Sequence, residues 1–363
     1  MIARRMEKLD SSGIRKVFDL AREMVDPVNL SIGQPDFDVP DEVKSAAIES
    51  ISSGANRYTV TQGIAELREA LLAQTFPDGP PHDEQALITS GVSGGLVLAF
   101  LVLVDPGDEV LIPDPYFVMY KHLVNLCGGT PVFVDTYPDF RLTAERIEQR
   151  LTPKSKILIT NSPANPTGTV WTEQEMAEII ELAERKGLLL ISDEIYSGFT
   201  YDGPFVSAAG RVERMLLLSG FSKSHAMTGW RLGYAVGPAD VIGEMTKLQQ
   251  FSFVCAPSFA QWAGLKALDV DTSGYAADYR RKRDLIYNGL KDAYELQRPA
   301  GAFYAFPKVP FGTGQEFVAK AIERNLLVIP GEVFSERDTH FRIAYAADDE
   351  MIERGIEILN AMV

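Results

Sequence analysis

Cysteine and histidine are scarce in this chain. Its 363 residues include only two cysteines, Cys127 and Cys255, and four histidines, His82, His122, His225 and His340. Two isolated cysteines make neither a disulfide framework nor a zinc site, and they fit a reducing compartment. The histidines show no ligand spacing, which argues against a metal enzyme built on imidazole. Long apolar runs are missing too: none approaches the roughly 18 residues that a membrane span requires. The basic stretch MIARRMEKLDSSGIRK at the N-terminus has no apolar segment behind it, so it is not a secretory signal. Cations are few against anions, 35 to 50, for a net charge of −15. An acidic surface repels nucleic acid and anionic lipid. The chain reads as a cytoplasmic protein that binds neither nucleic acid nor membrane. It has no repeats and no low-complexity tracts.

What remains is an ordinary globular composition, 46% apolar and 23% charged. The length allows two or three domains and a core that needs no disulfide or metal. Short apolar runs read as strands at Ala86–Thr89, Glu109–Ile112, Pro131–Val134, Lys156–Thr160, Leu188–Ser192, Met215–Ser219 and Leu232–Val236. Several are apolar at consecutive positions, as in strands covered on both faces. Helical periodicity lies between them. The clearest helix has Thr172 as its cap, Glu175 three residues on and Gly187 as its stop. Strand-helix alternation over 46–275 predicts a large α/β domain with a mostly parallel, doubly wound sheet. Residues 276–363 change pattern. An amphipathic stretch over Tyr275–Leu296 precedes strands at Gly301–Pro307, Leu326–Ile329 and Phe341–Ala344, and helices at Gly314–Arg324 and Asp349–Met362. They predict a smaller α+β domain, to which an N-terminal arm within 1–45 adds a part.

Ligands of such sheets collect at the carboxyl ends of the strands, and four segments fall there. Ser219–Arg231 follows an apolar strand and holds Lys223 and Arg231. Lys223 reads either as a nucleophilic amine or as a surface lysine beside a helix start. Asp193 closes a strand with no exposed face, as a carboxylate awaiting a cation or as a helix cap. Tyr196 follows three residues on. Asn161–Gly168 contains two X-Pro pairs and a glycine, a constrained turn that fixes the Asn165 side chain, or a plain connector. Ser90–Gly95 is a glycine-rich loop before an apolar helix, where free amides bind phosphate; it matches neither a Walker A sequence nor GxGxxG. A phosphate cradle with an arginine, an amine, a carboxylate and donors for a ring oxygen is the set that pyridoxal phosphate requires.

The sequence resembles the class I/II aminotransferases, the aspartate aminotransferase-like branch of fold-type I pyridoxal-phosphate enzymes. The likeness runs in order along nearly the whole chain: SIGQPDF at 31–37, RYTVTQGIAELREAL at 57–71, DPGDEVLIPDPYF at 105–117, NPTG at 165–168, SDEIY at 192–196, FSKSHAMTGWRLGY at 221–234, GAFYAFP at 301–307, PG at 330–331 and FRIAYA at 341–346. The resemblance implies that Lys223 forms the Schiff base and shuttles the Cα proton. It pairs Asp193 with the pyridine nitrogen, and Tyr196 and Asn165 with the ring hydroxyl. Arg231 and the amides of Val92 and Ser93 take the phosphate, and Phe117 stacks on the ring. Arg342 and the Gly33 backbone take the substrate carboxylate. Tyr58 reaches the phosphate of a neighbouring subunit, which implies a homodimer with shared sites.

Departures from the family pattern concern the phosphate and the side-chain pocket. A serine is usual three residues before Lys223, where this chain has Gly220; Ser222 is the substitute or a plain turn residue. One bacterial branch has a lysine at the place of Ser93 that reads acidic side chains, and serine cannot do so. Tyr304, Phe303 and Phe334 suit a neutral or aromatic side chain or simply pack the core. The expected activity is ping-pong transfer of an α-amino group from aspartate, alanine or a neutral or aromatic amino acid to a 2-oxo acid such as 2-oxoglutarate. A C–S β-lyase or γ-elimination on the same core is the rival. A DNA-binding regulator is disfavoured by the roughly 30 residues before SIGQPDF and by the charge.

Overall fold

The computed structural model describes residues 2–9, 13, 17, 22 and 24–363, so part of the arm expected over 1–45 lies outside the described residues. The seven apolar runs form one sheet: β1 (Gln85–Ser90), β2 (Glu109–Asp114), β3 (Thr130–Asp135), β4 (Ser155–Asn161), β5 (Leu189–Asp193), β6 (Met215–Gly220) and β7 (Leu232–Gly237). Their spatial order is β1-β7-β6-β5-β4-β2-β3. The strand β7 runs antiparallel to β1 and β6, and the other pairings are parallel. Side chains alternate between faces. Ile157 and Ile159 meet Leu96, Phe100 and Met245 of the helices Gly91–Leu103 and Ala239–Gln250. Leu158 meets Met176, Ile179 and Leu182 of the helix Glu173–Lys186 on the other side. That helix has the expected ends: Thr172 Oγ1 accepts from the Glu175 amide, Glu175 accepts from the Thr172 amide, and Gly187 closes it at φ +67°.

A second body covers the carboxyl edge of this sheet. The strand Phe341–Ala344 pairs antiparallel with Ile329–Pro330 on one side and Tyr304–Ala305 on the other. Helices Ser273–Leu290, Gly314–Glu323 and Asp349–Asn360 belong to it. Its aromatic core holds Tyr279, Phe303, Phe317, Phe341 and Tyr345, and continues into Ile195, Tyr196 and Phe199 just after β5. The strand expected over Gly301–Pro307 contracts to Tyr304–Ala305, because Ala302 turns left-handed at φ +54°. The run Leu326–Ile329 is two strands, since Leu326–Leu327 pairs with Val28–Asn29 whereas Ile329 pairs with Arg342. The helix Asp41–Ser52 packs through Val43 and Ala47 on Ala260 and Ala263 beside the large sheet, so 1–45 divides between the two bodies. The glycine-rich segment expected as a loop over Ser90–Gly95 is instead the first turns of the helix Gly91–Leu103. Among the described residues no helix is long and apolar enough to cross a membrane, and no group of His, Cys, Asp and Glu is placed to hold a metal ion.

Candidate active site

The ends of β1, β4, β5 and β6 and the start of β7 converge under the second body around a cleft of about 220 Å³. Asp193, the last residue of β5, is buried at its floor. Tyr120 Oη donates to Oδ2 at 2.7 Å and the Ile195 amide donates to Oδ1 at 3.2 Å. Asn161 supports the same loop: its Nδ2 donates to the Asp193 carbonyl at 3.0 Å, and its Oδ1 accepts from the Asn165 amide at 3.0 Å. Burial pushes the Asp193 carboxyl up to about 6, against those hydrogen bonds and the Lys223 charge, which pull it down. A buried carboxylate without an ion-pair partner is costly, and a cationic ring nitrogen would relieve it.

Lys223 stands in the turn after β6, and its Nζ donates to the Gly33 carbonyl at 2.6 Å. Burial pushes the amine down to about 8; Arg342 and Arg231 add to this and Asp193 opposes it. A fraction of the amine is therefore neutral and nucleophilic near physiological pH. Arg342 lies on the strand Phe341–Ala344 and is 1% exposed. Its guanidinium donates to Asn165 Oδ1 at 3.1 Å and to the Ser31 carbonyl at 2.7 Å. Tyr304 and Phe334 hold it, each ring centroid 4.5 Å away. Its Nε is buried with no partner, a donor free for a carboxylate.

A candidate anion cradle lies at the end of β1. The helix Gly91–Leu103 starts with no side-chain cap and no acidic residue in its first turn, which leaves the Val92 and Ser93 amides available to an anion. Arg231 has a left-handed backbone at φ +55° and donates to the Thr228 carbonyl at 2.9 Å. Its guanidinium lies against Gly91, where a Cβ would strike it. The missing serine at Gly220 has a physical cause. Gly220 pairs with Gly233 across β6 and β7, and a Cβ on it would lie 2.8 Å from Gly233 Cα and 3.0 Å from the Leu232 carbonyl. Gly233 in turn abuts Gly91 and the Val92 nitrogen, so three glycine backbones meet behind the cradle.

Gly33, Val92, Ser93, Phe117, Asn165, Asp193, Tyr196, Ser222, Lys223, Arg231 and Arg342 all line this cleft. Phe117 lies edge-on to Tyr120 at 5.6 Å. Burial holds the Tyr196 phenol well above its ordinary range, and its oxygen is 2.8 Å from that of Tyr304. Tyr58 is the exception: it is 84% exposed and lies in a separate groove with Cys255 and Phe259. Of the three aromatics considered for the side-chain pocket, Tyr304 lines the cleft, Phe334 backs Arg342 and Phe303 fills the core. Sequence reasoning missed Asn161, Thr228 and Tyr120. Tyr120 had a signal, because it lies one helical turn beyond Phe117.

A buried amine, carboxylate and arginine at the carboxyl edge of such a sheet define a fold-type I enzyme. The chain belongs to the aminotransferase class I and II family, whose model matches residues 25–359. It is 38% identical to a probable aspartate aminotransferase of Methanocaldococcus jannaschii, over 99% of both chains. It is also 38% identical to aromatic-amino-acid aminotransferase 2 of Thermococcus litoralis, over 97% of this chain and 96% of that one. Among solved structures, Thermus thermophilus aspartate aminotransferase with maleate superposes over 100% of both chains at 34% identity, with a TM-score of 0.94. The protein is an aminotransferase of a family that uses pyridoxal phosphate.

Proposed function

We propose that this cleft binds pyridoxal 5′-phosphate at Lys223 and transfers the amino group of a neutral or aromatic α-amino acid to a 2-oxo acid. The observation that carries the reading is one cleft holding a depressed-pKa amine, a buried unpaired carboxylate and a stacked arginine with a free donor. The residues fit the group. Asp193 would hold the pyridine nitrogen, Tyr196 and Asn165 the ring oxygen, Phe117 the ring, and Arg231, Ser222 and the Val92 and Ser93 amides the phosphate. When bound, the cofactor supplies an electron sink for the charge left on Cα.

The chain's own groups do the rest. Arg342 grips the substrate carboxylate through a bidentate fork, with the Gly33 backbone beside it. That grip would fix Cα next to Lys223 Nζ, which would take the Cα proton and deliver it to the cofactor's C4′ carbon, so that the amino group stays with the cofactor. A base positioned in this way contributes about 10²–10⁴-fold. The cations lining the cleft are Lys223, Arg231 and Arg342, and each already has a task. None is left within one chain for a side-chain carboxylate, and Ser93 supplies none, which supports a neutral or aromatic donor.

The same reading makes the protein a cytoplasmic homodimer in which Tyr58 completes the partner's phosphate site. The support is a set of exposed apolar side chains, Tyr58, Val60, Phe251, Phe253 and Val254, on two segments tied together where Gln249 Nε2 donates to the Thr61 carbonyl at 2.7 Å. A half-reaction screen tests the catalytic reading. The protein is loaded with pyridoxal phosphate and mixed with single amino acids without an oxo acid. One equivalent of 2-oxo acid per site, with loss of the yellow band, is expected first for neutral and aromatic donors. Continuous ammonia release with an unbleached band would show a lyase instead. Loaded sites are then offered 2-oxo acids, with 2-oxoglutarate the first to be tried.

A further inference from the structure

We propose that Tyr304 is a positioning residue: its hydroxyl sets the direction in which Tyr196 donates, and its ring holds the Arg342 guanidinium in place. The inference rests on the pyridoxal phosphate reading above. Tyr304 sits on a two-residue strand paired with the arginine strand, in the register Tyr304↔Ala344 and Ala305↔Ile343. That pairing brings its ring to 4.5 Å from the Arg342 guanidinium, while Phe334 lies at the same distance. Its hydroxyl reaches Tyr196 at 2.8 Å, with the two rings nearly perpendicular at 83°. Among the described residues this is the hydroxyl's one hydrogen bond. A Cβ on Gly33 would fall inside that hydroxyl, so the glycine is matched to the tyrosine, and the Gly33 carbonyl holds Lys223.

The proton count decides the direction. A phenol has one proton and can also accept. Tyr196 must spend its proton on the cofactor's ring oxygen, so towards Tyr304 it can only accept. Tyr304 then has to donate. Donation into a donor strengthens it, because hydrogen bonds in a chain polarise one another. Both phenols are buried, and burial raises both, so both stay protonated. A core filler needs no hydroxyl here, and phenylalanine would fill the same space. The polar end of Tyr304 serves Tyr196, and its face serves Arg342.

The test uses the loaded protein as wild type, Tyr304→Phe, Tyr196→Phe, the double variant and Tyr304→Leu. Three quantities are read: the pH midpoint of the bound cofactor's visible band, the dissociation constant of pyridoxal phosphate, and KM for a donor amino acid. Donation to the ring oxygen stabilises its anion, so weakening that donation moves the midpoint up. Tyr304→Phe is expected to raise it by about half a pH unit, the size one neutral hydrogen bond supports. It should weaken cofactor binding severalfold and leave KM within about twofold, because the ring over Arg342 is kept. Tyr304→Leu should also raise KM about tenfold through the lost cation–π contact. In the Tyr196→Phe background Tyr304→Phe should add nothing. Equal shifts in both backgrounds, or none in either, overturn the proposal while leaving the cofactor reading intact. A wild type with no visible band overturns the cofactor reading itself, and this inference with it.

Discussion

At Lys223 burial and two arginines push the amine down and one aspartate pulls it up, and the first group wins. The amine titrates near 8 instead of 10.5. Only its neutral form attacks a carbonyl, so the rate at which the cofactor-free protein takes up pyridoxal phosphate should rise from pH 6 to 9 and level off above. Arg342→Ala removes the larger of the two repulsions, and the midpoint of that profile should move upward. The same variant should raise KM for every α-amino acid by about a hundredfold, the cost of stripping a buried charge from its partner. Stopped-flow uptake and steady-state kinetics read the two effects; an unchanged KM would remove Arg342 from carboxylate binding. Lys223 and Asp193 were legible as candidates because each lies in a distinctive local motif at a strand end, whereas Arg342, inside the strand Phe341–Ala344, was named only through the resemblance. Tyr120 and Tyr304 were not legible in these roles, since their partners Asp193 and Tyr196 are 73 and 108 residues away in sequence.

Among elements, the long strands and the capped helix Glu173–Lys186 were legible, because local patterns of apolar period, cap and glycine stop decide them. The two-residue strands of the second body were not. Each exists only through a distant partner, as Val28–Asn29 does through Leu326–Leu327, and no local pattern encodes that. The β6–β7 pair gives a prediction of its own. Gly220→Ser restores the serine usual in the family, yet here its Cβ meets backbone on the neighbouring strand. Overpacking against backbone costs about 1–3 kcal/mol. The variant should melt several degrees lower and bind pyridoxal phosphate more weakly, as calorimetry and cofactor titration would show. Tighter binding at unchanged stability would mean that the strands part easily and that the glycine contact is incidental.

For the molecule as a whole, a single chain leaves Phe251 85% and Tyr58 84% exposed. Phe253, 38% exposed, leans over Gly94 in the helix whose first amides are proposed to hold the phosphate. A partner covering this patch would lie beside the cradle, where Tyr58 could reach across. Phe253→Asp places a charge in that contact and should yield monomers by light scattering, with cofactor affinity reduced as well. A variant that remains dimeric would move the interface elsewhere. Tyr58 has no local signature in the sequence, since one exposed tyrosine resembles any other, and its assignment to a neighbouring subunit's phosphate came from the resemblance alone.

The meeting of Gly91, Gly220 and Gly233 has a consequence for how such an enzyme can change over time. With no side chains between them, the cradle is mounted on the main chain of the sheet, and repacking of the surrounding core has little to loosen there. On the proposed reading, the side chains that line the rest of the cleft, Ser93 beside this mounting and Tyr304 on the second body, are exchangeable fittings. Drift at those fittings can retune which amino acid is accepted while the anchorage of the cofactor stays as it is. The glycines, by contrast, are fixed by their neighbours: a side chain gained at Gly220 or Gly233 meets the backbone of the next strand or of the helix start, and one gained at Gly91 displaces the Arg231 guanidinium.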